Sequence, residues 1–286
     1  MTRTFPLIFV FLWASAFITS KIIVQDATPF ASLTFRFVIV ASIFALITLA
    51  RREFKYLTPR SVSEALATGV LFHGFYLGGV FYSVSVGLPA GISALIVSMQ
   101  PVLTTALAGP LLGEVVLKRQ WLGMLLGFVG TALVLGLDVG AELPWAGVSA
   151  ALVALLAVTA GTLWQKKLSG KLPLSINNTF QALSAAAFHC GVMLLVEDYF
   201  IELTPSFIWA MSWQIVAVSF GAFTILMILI RTGSASKTAA LFFLVPPVSV
   251  VLGWLMLDEV MTMTDVVGLM IASFGVFIAT RTASAS

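Results

Sequence analysis

Ala94 to Glu114 reads ALIVSMQPVLTTALAGPLLGE, and Ala239 to Glu259 reads AALFFLVPPVSVVLGWLMLDE. Pro101 matches Pro246 and Glu114 matches Glu259, each pair 145 residues apart. The register continues without a gap. Gly123 and Gly130 fall on Gly268 and Gly275, Thr34-Phe35-Arg36 on Thr179-Phe180-Gln181, and Lys21 on Lys166. Shared Pro, Glu, Gly and Lys in one register mark an internal repeat. Each quoted stretch is also apolar over about 20 residues, the length that crosses a bilayer.

Working outward from these two, ten such spans are expected: Phe5–Val24, Phe30–Ala50, Glu64–Val86, Pro89–Gly109, Trp121–Leu137, Trp145–Gln165, Leu174–Val196, Pro205–Ile230, Thr238–Leu257 and Asp265–Thr280. The chain of 286 residues is 60% hydrophobic and 9% charged, too poor in charge to coat a water-soluble globule; soluble domains carry about 25%. Ten spans leave only short loops. The stretch from Phe5 lacks a clear small-residue cleavage site, so it is read as a retained first helix. Cys190 is the only cysteine, so no disulfide within the chain is expected.

The loops sort by charge. One alternate set holds Arg3, Arg51, Arg52, Lys55, Arg60, Lys118, Arg119, Lys166, Lys167, Lys171, Arg231, Lys237 and Arg281, which is 13 of the 15 Lys and Arg. The other set holds no Lys or Arg, but Asp26, Asp138, Glu142, Glu197, Asp198, Glu202, Asp258, Glu259 and Asp265. Loops rich in Lys and Arg stay in the cytoplasm, which places both termini there. The net charge of +3 therefore reports topology and does not point to nucleic acid.

Five spans per repeat is an odd number, so the second copy enters the membrane from the opposite side. The expected architecture is an all-α membrane protein of two inverted five-helix repeats, residues 1–142 and 143–286, with the break near Asp138–Pro144. Secondary transporters built this way hold substrate near the midplane between the halves.

With Trp13 to Lys21 in the first span, Pro29 and Arg36-Phe37 around the second, and the two Pro…Glu…Gly blocks, the chain resembles the EamA-type family of the drug/metabolite transporter superfamily. Within it, the chain looks most like the YddG-type exporters of amino acids and related metabolites. The resemblance implies the drug/metabolite transporter fold, with a central cavity lined by spans one to four and six to nine and with the fifth and tenth outside.

Several residues are candidates for that cavity. Pro101, Pro246 and Pro247 lie inside their spans, where proline removes a backbone hydrogen bond and kinks the helix; they are read as hinges, with a static packing kink as the alternative. Arg36 lies about two turns into its span and either binds a substrate carboxylate or caps backbone carbonyls. Lys21 lies nearer an end, where it lines the path or snorkels. His73 is near mid-membrane with Tyr76 on the same helical face. It either carries a proton or stays neutral inside the bundle. Trp13 and Trp164 occupy the first and sixth spans. With Tyr76, Tyr82 and Gln100 they would make an apolar wall with a few polar groups, as a small-molecule site requires. Gly123, Gly127 and Gly130, and in parallel Gly268, Ala272 and Gly275, form stripes that suit close helix packing or a dimer face.

The function expected is export of aromatic and other neutral amino acids and related small metabolites by alternating access. The first span contains no Asp or Glu, so transport without proton coupling is expected. A drug or nucleotide-sugar transporter of the same superfamily, a lipid flippase and an intramembrane enzyme are the alternatives. Against the enzyme, the sequence has no embedded carboxylate pair, no Gly-x-Ser-x-Gly elbow and no metal-type His/Cys cluster. The expected partners are a small-molecule substrate and the lipid bilayer, with no cofactor, no metal and no nucleic acid; a monomer is allowed. The expected location is the inner (plasma) membrane.

Overall fold

The computed structural model describes residues 4–88, 90–136, 143–256 and 260–281. The expectations placed on Arg3, Pro89, Asp138, Glu142, Asp258 and Glu259 lie outside the described residues. Ten helices carry the fold: α1 (Phe5–Asp26), α2 (Pro29–Arg51), α3 (Pro59–Ser85), α4 (Ile92–Leu112), α5 (Lys118–Leu135), α6 (Trp145–Leu168), α7 (Leu174–Val196), α8 (Pro205–Thr232), α9 (Ala235–Met256) and α10 (Met263–Thr280). Among the described residues, nine of them are long and apolar enough to cross a membrane. The tenth, α5, opens on Lys118-Arg119-Gln120, which dilutes an otherwise apolar run. Large apolar side chains such as Leu7, Leu46, Leu156 and Leu195 lie exposed around the bundle. A water-soluble surface rarely carries such a continuous apolar skin, and lipid is its solvent.

Helix starts follow local chemistry. Thr-Pro opens α2, α3 and α8, with proline in the first turn, where its missing N–H costs nothing. Thr58 and Thr204 cap α3 and α8 through their hydroxyls. Thr28 makes no such bond. Instead the Glu197 carboxylate, from the far end of α7, accepts the N–H groups of Phe30 (3.0 Å) and Ala31 (3.2 Å).

Long-range contacts fix which loops share an end. Ala27 pairs with Ile201, and Glu202 N–H donates to the Asp26 carbonyl at 2.7 Å, so the α1–α2 and α7–α8 connections meet. At the other end Ser175 donates to the Glu53 carboxylate, and Arg231 to the Leu172 carbonyl. There too Arg119 reaches the Arg281 carbonyl at 2.8 Å, and Glu114 accepts from Ala235 and Ser236. One end is thus acidic and the other basic, as the charge alternation predicts. Helices α1 and α6 consequently run in opposite directions.

Packing is reciprocal. Helix α1 lies on α8 and α9, while α6 lies on α3 and α4; α2 pairs with α7, and α5 with α10. The α5–α10 contact is backbone on backbone. A Cβ on Gly130 would lie 2.3 Å from Ala272 N, and one on Gly275 only 2.4 Å from Gly127 N. The two small-residue stripes face each other inside the chain, which assigns them to packing.

Candidate functional site

Between the helices lies a cavity of about 660 Å³. Its lining comes from α1–α4 and α6–α9; α5 adds only Leu135, and α10 adds nothing among the described residues. At the acidic end the lining residues Lys21, Val24, Val84 and Ser85 are exposed. Toward the basic end the lining residues Phe44 and Asn178 are buried. The cavity therefore opens at the acidic end and is closed at the basic end.

Helix α2 shows how the sequence builds the wall. Pro29, Ser32, Leu33, Arg36, Phe37, Val40 and Phe44 all line the cavity, at the three- and four-residue spacing of one helical face. Arg36 is partly exposed and lines the cavity. Its Nε donates to Ser219 Oγ on α8 at 2.9 Å, and its guanidinium carbon sits 5.4 Å from the Phe37 ring centre. No backbone carbonyl accepts from it among the described residues, so the capping reading is set aside.

Aromatic rings form the deeper wall. Trp13 meets Phe242 edge-on at 5.3 Å and Phe72 at 6.5 Å, with Phe9 behind it. Tyr76 is buried beside Phe72. His73 is buried between Phe37 (5.0 Å) and Phe223 (4.6 Å) and lines the cavity. Its backbone carbonyl accepts from Nε2 of the fully buried His189 at 3.2 Å.

Two glutamines brace the wall. Gln100 donates to Thr104 (3.1 Å) and Thr162 (3.3 Å), tying α4 to α6. Gln214 donates to the Ala16 carbonyl, Thr19 and Ser20 at 2.9–3.0 Å, tying α8 to α1. Among the described residues the Oε1 of each is covered and lacks a partner, as does Asn178 Nδ2. Among the described residues no Asp or Glu lines the cavity. Nor does any group of three or more His, Cys, Asp or Glu form that could hold a metal.

The structure thus gathers Trp13, Arg36, His73, Tyr76 and Gln100 on one cavity. Tyr82 and Trp164 are corrections: both are exposed and neither lines it. The reason is helical phase. Tyr82 lies six residues after the lining residue Tyr76, and Trp164 six after the lining residue Val158, a turn of about 240° in each case. Trp164 instead stands one turn before the end of α6, beside Lys166 and Lys167, where tryptophan anchors a helix at the membrane interface.

The prolines sit where the helices change. Helix α4 breaks at Ser98-Met99, directly before Gln100-Pro101. Helix α9 tightens to a 3₁₀ turn over Leu241–Leu244, directly before Val245-Pro246-Pro247. Pro246 lines the cavity, and Pro101 and Pro247 are buried. Sequence reading missed the π-helical turns, Val70–Phe75 in α3 and Gln214–Ala222 in α8. They carry His73, Gln214 and Ser219. Such turns cluster at functional sites but leave no compositional signature.

Comparison with known proteins now decides the family. The EamA-like transporter family matches residues 4–136 and again residues 145–281. The chain belongs to the EamA-like transporter family. It is 27% identical over 281 residues to the uncharacterized transporter YvbV of Bacillus subtilis (strain 168), covering 94% of this chain and 89% of that one. An uncharacterized transporter of Archaeoglobus fulgidus is 21% identical over 289 residues, covering 94% of this chain and 95% of that one. A solved crystal structure superposes with a TM-score of 0.84 at 18% identity, over 98% of this chain and 97% of its own. The fold is shared with that structure. This member of the family is a multi-pass membrane protein.

Proposed function

We propose that the chain exports small amphiphilic metabolites, amino acids among them, across the inner (plasma) membrane by alternating access, and that it does so without proton coupling. The observation that carries this is a cavity bounded by helices of both halves, open at the acidic end and closed at the basic end. With the basic end in the cytoplasm, this conformation faces outward. The lining combines rings with a few polar groups, as a site for small molecules does.

The finer architecture is two inverted repeats, residues 1–142 and 143–286. Three observations support it. The family matches twice; α1 and α6 run in opposite directions; and the irregularities recur 145 residues apart. Val70–Phe75 corresponds to positions 215–220, inside the π turn Gln214–Ala222. The helix breaks precede Pro101 and Pro246 alike. Trp13, Arg36, His73, Tyr76 and Gln100 are the substrate-contacting residues of this reading, with Pro101, Pro246 and Pro247 at the hinges. Exchange between outward and inward forms is then a rocking of one half on the other.

The test is purified protein in liposomes, offered labelled amino acids, lipids and ions. Counterflow of an amino acid is expected, equal with and without an imposed pH gradient. Movement of lipid or ions alone would overturn the reading. Accumulation driven by the pH gradient and lost in His73→Ala would overturn the uncoupled mechanism.

A further inference from the structure

We infer that the cavity selects organic anions, aromatic or branched small carboxylates, with Arg36 as the group that takes the carboxylate, and that transport moves net negative charge. The inference rests on the transporter reading and deepens it.

Arg36 lies seven residues into α2, about 10 Å below the acidic end at 1.5 Å per residue. A charge at such depth is costly unless it is paired or lines a path. Among the described residues its one hydrogen-bond partner is the neutral Ser219, and no carboxylate pairs with it. That bond uses Nε and leaves the two Nη groups, the flat fork that holds a carboxylate with two parallel bonds. Among the described residues its surroundings supply no counter-charge. The ionisable groups in the described lining are Lys21, Arg36, His73 and Tyr76, with no Asp or Glu. The ammonium of an amino acid meets no acidic partner in that lining, whereas a carboxylate meets Arg36. The body of the ligand would lie against Phe37, Phe72, Trp13 and Phe242. A volume of about 660 Å³ suits one such molecule.

A transported anion that leaves Arg36 behind carries its charge across. A potential of 100 mV then shifts its equilibrium gradient about 50-fold. A cell interior that is negative drives such an anion outward, so export needs no proton.

The test uses three labelled probes of one shape: 3-phenylpropionate, phenylalanine and phenethylamine. They are the anion, the zwitterion and the cation. Liposomes at pH 8 hold the purified protein, a potassium gradient with valinomycin sets the potential, and protein-free liposomes give the background. The expected result is accumulation of 3-phenylpropionate that rises toward 50-fold per 100 mV, inside positive, and reverses with the potential. Arg36→Gln should abolish it and Arg36→Lys should retain part of it, with thermal stability of both near wild type. Phenylalanine moving faster than the anion, without response to potential, would overturn the inference and leave the transporter reading intact. Equal movement of phenethylamine would likewise overturn it. If none of the three moves in a folded preparation, the transporter reading fails and takes this inference with it.

Discussion

Glu114→Gln should loosen the closed end of the bundle by a measurable amount. Glu114 follows the glycine that ends α4, with Gly113 at φ 69°. Its carboxylate accepts the Ala235 N–H at 2.6 Å, the Ser236 N–H at 3.3 Å and the Ser236 hydroxyl at 2.8 Å. It therefore caps the first turn of α9 from another helix and places a negative charge on the positive end of the helix dipole. The amide keeps the shape and one acceptor oxygen but loses the charge. Charge at a partly buried helix end contributes up to about 2 kcal/mol. A charge-assisted bond exceeds a neutral one by about 1 kcal/mol. Partial rescue by the amide brings the net to about 2 kcal/mol. For a chain of 286 residues that lowers the melting temperature by about 3–4 °C. The assay is thermal unfolding of the detergent-purified protein followed by intrinsic tryptophan fluorescence. Glu64→Gln is the control. Glu64 pairs with Arg60 at 3.2 Å and with Lys171 at 4.0 Å, but those two side chains are 87% and 54% exposed, so each pair contributes about 0.5 kcal/mol. A Glu114→Gln transition no lower than that of Glu64→Gln would refute the capping argument.

Three further outcomes follow from the geometry. Gly275→Val puts a Cβ 2.4 Å from Gly127 N and 2.7 Å from Gly123 O; the α5–α10 pair must separate, at about 3 kcal/mol, read as a lower melting temperature. Trp13→Ala removes the ring between Phe242 and Phe72 and should cut transport at least tenfold, while Trp164→Ala, outside the cavity, should leave it within twofold; liposome counterflow measures both. Reporter fusions after Lys55 and after Glu142 should report opposite compartments, the first cytoplasmic. Finding both on one side would contradict the alternation of the helices.

Much of the fold is legible in the sequence because lipid imposes it. A membrane helix must satisfy its backbone internally and be apolar for about 20 residues, so nine of the spans stand out, with ends displaced by a few positions. The third starts at Pro59 instead of Glu64 because the Thr58 cap and Pro59 nucleate it in the polar interface, before the apolar run begins. Which face of a helix points inward is less legible. In a soluble helix the apolar stripe marks the inside; here α2 is apolar all round, and Arg36 is the only charge that marks the cavity face. Tyr82 and Trp164 escaped for that reason, since an aromatic ring suits lipid, interface and cavity alike. Glu114 stands out in the sequence through its register with Glu259, but the backbone donors it caps, Ala235 and Ser236, lie on another helix and are visible only in the fold. Ser219, Gln214 and Asn178 could not be read, since their contribution depends on the π turns of α8 and on the α2–α7 pairing.

Ser249 tests the central claim, that the cavity is the substrate path. It lines the cavity from α9, and its hydroxyl donates to the Val245 carbonyl at 2.9 Å. Counterflow would be measured for Ser249→Cys in a Cys190→Ser background, before and after reaction with a bulky methanethiosulfonate, beside Trp164→Cys treated in the same way. Loss of counterflow at residue 249, prevented by excess substrate, with no loss at residue 164, is the predicted result; undiminished counterflow after complete labelling at residue 249 would contradict it.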